Sequence, residues 1–127
     1  MDVSKQDKGR LGEELAALLL SSRGYRPVAR NLRVGRREID LVVERGSLLV
    51  AVEVKWRDAG ADPAAALHAW SPAQRARARE AVLGAMQALA GAADRPWRLD
   101  LVTIAATAKG WCIEHHRGAL APGATFW

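Results

Sequence analysis

The sequence of 127 residues contains a single cysteine, Cys112, which excludes an internal disulfide and a cysteine-rich zinc site. No apolar run approaches the roughly 20 residues that span a bilayer. The opening stretch, Met1 to Lys8, is polar, so neither export nor a membrane partner is expected, and a cytoplasmic location follows. Repeats and low-complexity linkers are absent, and the length suits one domain covering residues 1–127. Acids are in short supply, 14 Asp plus Glu against 19 Lys plus Arg, for a net charge of +5. Several of those acids fall in one motif, so the remaining surface is more basic still and points to a phosphate-rich partner.

What is present centres on two runs rich in Val, Ile and Leu, Arg37 to Glu44 and Leu48 to Lys55, separated by Arg45-Gly46-Ser47. This is the pattern of an antiparallel hairpin. Alternation places Glu38, Asp40, Val42 and Glu44 on one side, with Ile39, Leu41 and Val43 opposite. On the second run Leu49, Ala51, Glu53 and Lys55 share a side. Asp40 and Glu53 face one another only if opposed residue numbers sum to an odd value: 93 sets them directly opposite, 91 on a diagonal. Two carboxylates so close repel unless a cation sits between them, and hard oxygen ligands with room for water suit Mg²⁺ or Mn²⁺. Lys55 would orient a bound water or stabilise developing negative charge, and Glu38 would support the ligands from behind.

Around the hairpin, a helix is expected from about Gly9 to Ser22, with Leu11, Leu15, Leu18 and Leu19 as its stripe and Gly24 as its stop. Periodicity does not choose between Glu13 and Glu14 as a further acid. Tyr25 to Arg33, broken by Pro27, reads as an edge or first strand. Arg30, Arg33, Arg36 and Arg37 lead from it into the acidic hairpin, and Arg57 follows the hairpin; their planar forks suit a phosphate clamp. A short helical turn is expected near 63–68. Ser71-Pro72 then opens a longer helix to about Ala90, with Val82, Leu83, Met86 and Leu89 buried. Gln74, Arg75, Arg77 and Arg79 crowd its first turns, where cations oppose the helix dipole unless an anion is present. Strands follow over 97–105 and 110–116. Trp56 reads as packing, Cys112 as a buried small hydrophobe, Asp100 as a partner of Arg98, and His115 and His116 as surface or packing residues. Phe126-Trp127 would dock on the body or mediate self-association.

Glu38-Ile39-Asp40-Leu41 followed by Val52-Glu53-Val54-Lys55 resembles the Asp and Glu-x-Lys signature of the PD-(D/E)XK nucleases. With Gly9-x-x-Gly12-Glu13, Arg30-Asn31-Leu32-Arg33 and Arg98-Leu99-Asp100 in order, the chain more narrowly resembles the small bacterial YraN family of endonuclease-like proteins. Ile39 stands where the superfamily has proline, and Arg37 where the family has glycine. The resemblance implies a restriction-endonuclease-like α/β fold, a central mixed sheet flanked by helices in the order α-β-β-β-α-β-β. It implies a Mg²⁺- or Mn²⁺-dependent endonuclease acting on DNA, including branched repair intermediates, as a homodimer in many such nucleases. It selects Glu13 as a third acid beside Asp40 and Glu53, with the Val54 carbonyl available to the ion, and sets Gln74 where the family carries a site-orienting polar residue. The rival expectations are a nucleic-acid-binding module with little turnover, and a scaffold for another protein.

Overall fold

The computed structural model describes residues 5–57, 71–89 and 91–118. The elements are α1 (Lys5–Ser22), β1 (Arg26–Val34), β2 (Arg37–Arg45), β3 (Leu48–Arg57), α2 (Pro72–Ala88), a 3-10 turn (Ala92–Asp94), β4 (Trp97–Thr107) and β5 (Gly110–His116). Their order is the one the sequence predicts, apart from the 3-10 turn. The helical turn expected near 63–68 and the tail with Phe126-Trp127 lie outside the described residues.

The five strands form one sheet in the order β1-β2-β3-β4-β5. It is mixed: β3 and β4 run parallel, and the other neighbours are antiparallel. A parallel pair cannot be closed by a tight turn, and α2 lies in the crossover that joins β3 to β4. The architecture is a restriction-endonuclease-like α/β fold. Pro27, which cannot donate to a ladder, sits on the edge strand β1 beside a register shift.

Helices cover both faces. Leu49 and Ala51 of β3 and Trp97 and Leu99 of β4 pack with Ala81, Val82 and Ala85 of α2. Val50 and Val52 of β3 and Val102 and Ile104 of β4 pack with Ala16 and Leu20 of α1. Each fully buried Val or Leu contributes about 1.5–3 kcal/mol, so the two layers together fix the sheet between the helices.

Four expectations are corrected. The first helix does not dock through its leucine stripe: Gly12, Ala16 and Leu20 are buried, whereas Leu11 is 37% and Leu18 67% exposed. Small residues are required there because the helix approaches closely, and a Cβ on Gly12 would lie 2.7 Å from Trp56 Nε1. On α2 the seam is Ala81, Val82 and Ala85, with Leu83 48% exposed. There Gly84 permits a similar approach, since a Cβ would collide with Val34. Ile39 packs with Val42 on the α2 side, while Leu41 and Val43 face α1, so the alternation of β2 breaks between residues 39 and 42. Cys112 is exposed, because it lies on the edge strand β5 beyond the reach of either core.

On β4, in register with Val52 of β3, Asp100 anchors a buried polar hub. It accepts two hydrogen bonds from Arg98, one from His115 Nε2 and one from the Gly118 amide, all between 2.7 and 3.0 Å. Arg98 also donates to the Tyr25 hydroxyl at 2.8 Å. Arg23 can only donate to His115 Nδ1, which leaves Nε2 carrying the proton shared with Asp100. The pairing of Asp100 with Arg98 is as the sequence suggests.

Candidate active site

The hairpin pairs in the register whose residue numbers sum to 93, and its ladder ends at Leu41 opposite Val52. Over residues 37–39, β2 keeps β1 as a partner but has left β3, so the two strands open into a cleft. The cause lies in two facing residues. Asn31 of β1 has a left-handed backbone, φ 50°, a conformation that asparagine tolerates better than most residues. The register sets it across from Asp40, where the alternation of β2 breaks. Freed from the ladder, the Asp40 carboxylate accepts the Val54 amide at 2.9 Å. Asp40 and Glu53 thus approach each other at the mouth of the cleft, as the odd register requires.

Burial and mutual charge set the acidities. Burial raises the Glu53 carboxyl to about 7, the Asp40 charge adds to the rise, and Lys55 opposes it. Burial likewise raises Asp40, against the Val54 amide and Lys55. Glu13, half-buried beside the α1 seam, is raised by burial and by the charges of Asp40 and Glu38, and a hydrogen bond from Asn31 offsets part of this. Glu14 instead pairs with Arg30 at 3.0 Å on the surface. Of the two adjacent acids, Glu13 is the one that faces Asp40. Lys55 Nζ lies 3.8 Å from Glu53 Oε2.

Between the parted strands and α2 lies a cavity of about 260 Å³. Arg36, Arg37 and Glu38 line one wall, Glu53 and Lys55 the other, and Gln74, Arg77, Ala78 and Ala81 of α2 close it. Four cations therefore surround two acids. Arg37 pairs with Glu80 at 3.0 Å, while Arg33 is exposed. Arg57 Nε is buried with no hydrogen-bond partner among the described residues. The Gln74 side chain is used locally: Oε1 accepts the Ser71 amide at 2.8 Å, and Ser71 Oγ accepts the Gln74 amide at 3.1 Å. This capping box was legible as Ser-x-x-Gln at the helix start. Arg75 is not part of the cavity wall, whereas Arg77, two residues on, is. Asn31 and Arg77 carry no assigned role in the sequence reading, although Asn31 falls in the Arg30-Asn31-Leu32-Arg33 motif and is an asparagine inside a strand.

The donor set fits a hard divalent cation: two carboxylates held near each other, both raised by burial and repulsion, beside a ladder gap with room for water. Among the described residues no three Asp, Glu, His or Cys side chains converge on one point.

The family model described as Uncharacterised protein family UPF0102 matches residues 12–104, from the glycine under Trp56 through the acidic hairpin to β4. The chain belongs to this family, the YraN family. Similar members include a UPF0102 protein of Caulobacter vibrioides, 42% identical over 97 residues that cover 76% of this chain and 75% of that protein. Another, from Porphyromonas gingivalis, is 38% identical over 117 residues, covering 89% and 83%. A third, from Parvibaculum lavamentivorans, is 44% identical over 96 residues, covering 76% and 70%. No helix among the described residues is long and apolar enough to cross a membrane.

Proposed function

We propose that the chain is a divalent-metal-dependent nuclease that hydrolyses phosphodiester bonds of nucleic acid, with DNA the favoured substrate. The observation that carries this reading is that Glu53 and Lys55 line a cleft walled by arginines, with Asp40 near enough for its charge to raise the Glu53 pKa. Asp40 and Glu53 would hold Mg²⁺ or Mn²⁺, with Glu13 reached through water and the Val54 carbonyl as a backbone ligand. Such an ion, when bound, supplies an acidified water and neutralises charge on the scissile phosphate. Lys55, on the Glu53 side of β3, orients the attacking water and stabilises the charge that develops. Arg36, Arg37 and Arg77 hold flanking phosphates, and the unpartnered Arg57 Nε offers a further donor. Arg30, Arg33 and Arg75 extend the basic surface outside the cavity, and Glu38 raises the negative potential around Asp40. Gln74 serves the helix cap, and its place in the wall supports the site by positioning α2.

A second reading, a nucleic-acid-binding module with little turnover, is favoured by the absence of three converging acids among the described residues. Incubating linear, branched and single-stranded DNA with Mg²⁺ or Mn²⁺ separates the two. Cleavage by the wild type that is lost in both Asp40→Ala and Lys55→Ala supports the nuclease. Salt-sensitive binding without cleavage supports the module, and no salt-sensitive binding at all removes both.

A further inference from the structure

Trp56 and Trp111 meet at the end of the sheet where the cleft opens, with ring centroids 5.1 Å apart and planes at 62°. Trp56 is committed to the fold. Its indole N–H donates to the Lys8 carbonyl at 2.8 Å, and its ring lies against Gly12. Trp111 is not: on the edge strand β5 it stays 52% exposed. An indole left this open forgoes much of the stabilisation its burial would give, and its free face is a flat apolar plate. Two cations flank the pair: Lys8 Nζ is 5.0 Å from the Trp56 ring, and Lys109 lies in the exposed turn leading into Trp111. The plate also adjoins the candidate active site through α1, because Gly12 touches Trp56 and the next residue, Glu13, faces Asp40. Aromatic plates flanked by cations take an unpaired base on the ring and its phosphates on the charges.

We propose that Trp111, braced by Trp56, is a stacking platform for an unpaired base, so that the nucleic acid reaching Asp40 and Glu53 carries a single-stranded stretch next to the bond presented there. This rests on nucleic acid being the ligand of that site. A platform on an edge strand reads the face of a base, which every base has, and so selects for strand state rather than sequence.

The test is binding without metal, in EDTA, so that no cleavage is needed. The probes are a fluorescein-labelled short oligothymidylate and a blunt duplex of equal length, titrated against the full chain and its Trp111→Ala, Trp111→Leu and Trp111→Tyr variants. Affinity for the single strand is expected to fall about tenfold to a hundredfold in the Ala and Leu variants, more than affinity for the duplex, and to be largely kept by Tyr. All three variants should melt close to the wild type. Unchanged single-strand affinity in Trp111→Ala overturns the proposal, as does an equal loss on both probes or full retention by Leu. A variant that alters only the sedimentation coefficient overturns it too, by making Trp111 a self-association contact. Failure of the nuclease reading is seen separately, as no cleavage with Mn²⁺ while these affinities still depend on Trp111.

Discussion

Asp100 and Glu53 are both carboxylates drawn largely out of water on the same sheet, and the fold treats them in opposite ways. Asp100, with a side chain 0% exposed, is saturated with four hydrogen bonds. Burial alone would raise its pKa, but the bonds from His115, Arg98 and Gly118 hold it below the ordinary carboxylate value. Glu53, 22% exposed, has one ion pair at 3.8 Å and a second acid for a neighbour, and its pKa rises to about 7. An acid that serves the fold is given its donors by the chain. One whose donors come from outside is left short of them, and the free-energy cost stays in the folded protein until a cation arrives.

The largest effect that tests this contrast is on the saturated side. Asp100→Ala leaves Arg98 charged and half-buried, and is expected to lower stability by about 3–5 kcal/mol in urea unfolding. A loss under about 1 kcal/mol would erase the contrast. The contribution of Asp100 is fully present above its unfolded value and fades as pH falls through its lowered folded value, so the wild type should lose it only in strong acid.

Gly12→Ala comes next, with an expected loss of about 1–3 kcal/mol from overpacking against Trp56, together with weaker Mn²⁺ response because Glu13 moves with the helix. A normal thermal melt and normal Mn²⁺ response would show that α1 has slack there. On the unsaturated side the sign reverses. Glu53 has a raised folded pKa, so its contribution is present in acid and lost as pH rises through about 7. Glu53→Gln should therefore stabilise the metal-free protein at pH 8 by on the order of 1–2 kcal/mol and change little at pH 4. Destabilisation at pH 8 would mean that Glu53 is held by the fold as Asp100 is. The smallest effect is Gln74→Ala, which opens the capping box and should cost about 0.5–1 kcal/mol without altering Mn²⁺ uptake.

The sequence made the hairpin legible because period-two patterning is strong there. Leu49 and Ala51 of β3 share one side as expected, and Val50 and Val52 take the other, which the structure places under α1. The odd register was legible as a condition, and the sum of 93 satisfies it. What escaped was set by close approach and by breaks in pattern. Counting leucines on α1 gave the wrong face, since the helix sits so near the sheet that Gly12 and Ala16 have to face it. The kink at Asn31 and Asp40, which opens the cleft, depends on two strands at once and leaves only a weak trace in either. Cys112 was misread because hydrophobic preference says nothing about whether a strand is an edge.

The most direct measurement is a calorimetric titration of Mn²⁺ into the metal-free chain at pH 8, repeated at pH 6 and with Asp40→Asn and Glu53→Gln. The expected result is saturable uptake by the wild type, weaker at pH 6 where Glu53 is mostly protonated, and lost in both variants. Uptake that survives both substitutions, or none in the wild type, would contradict a cation held between Asp40 and Glu53.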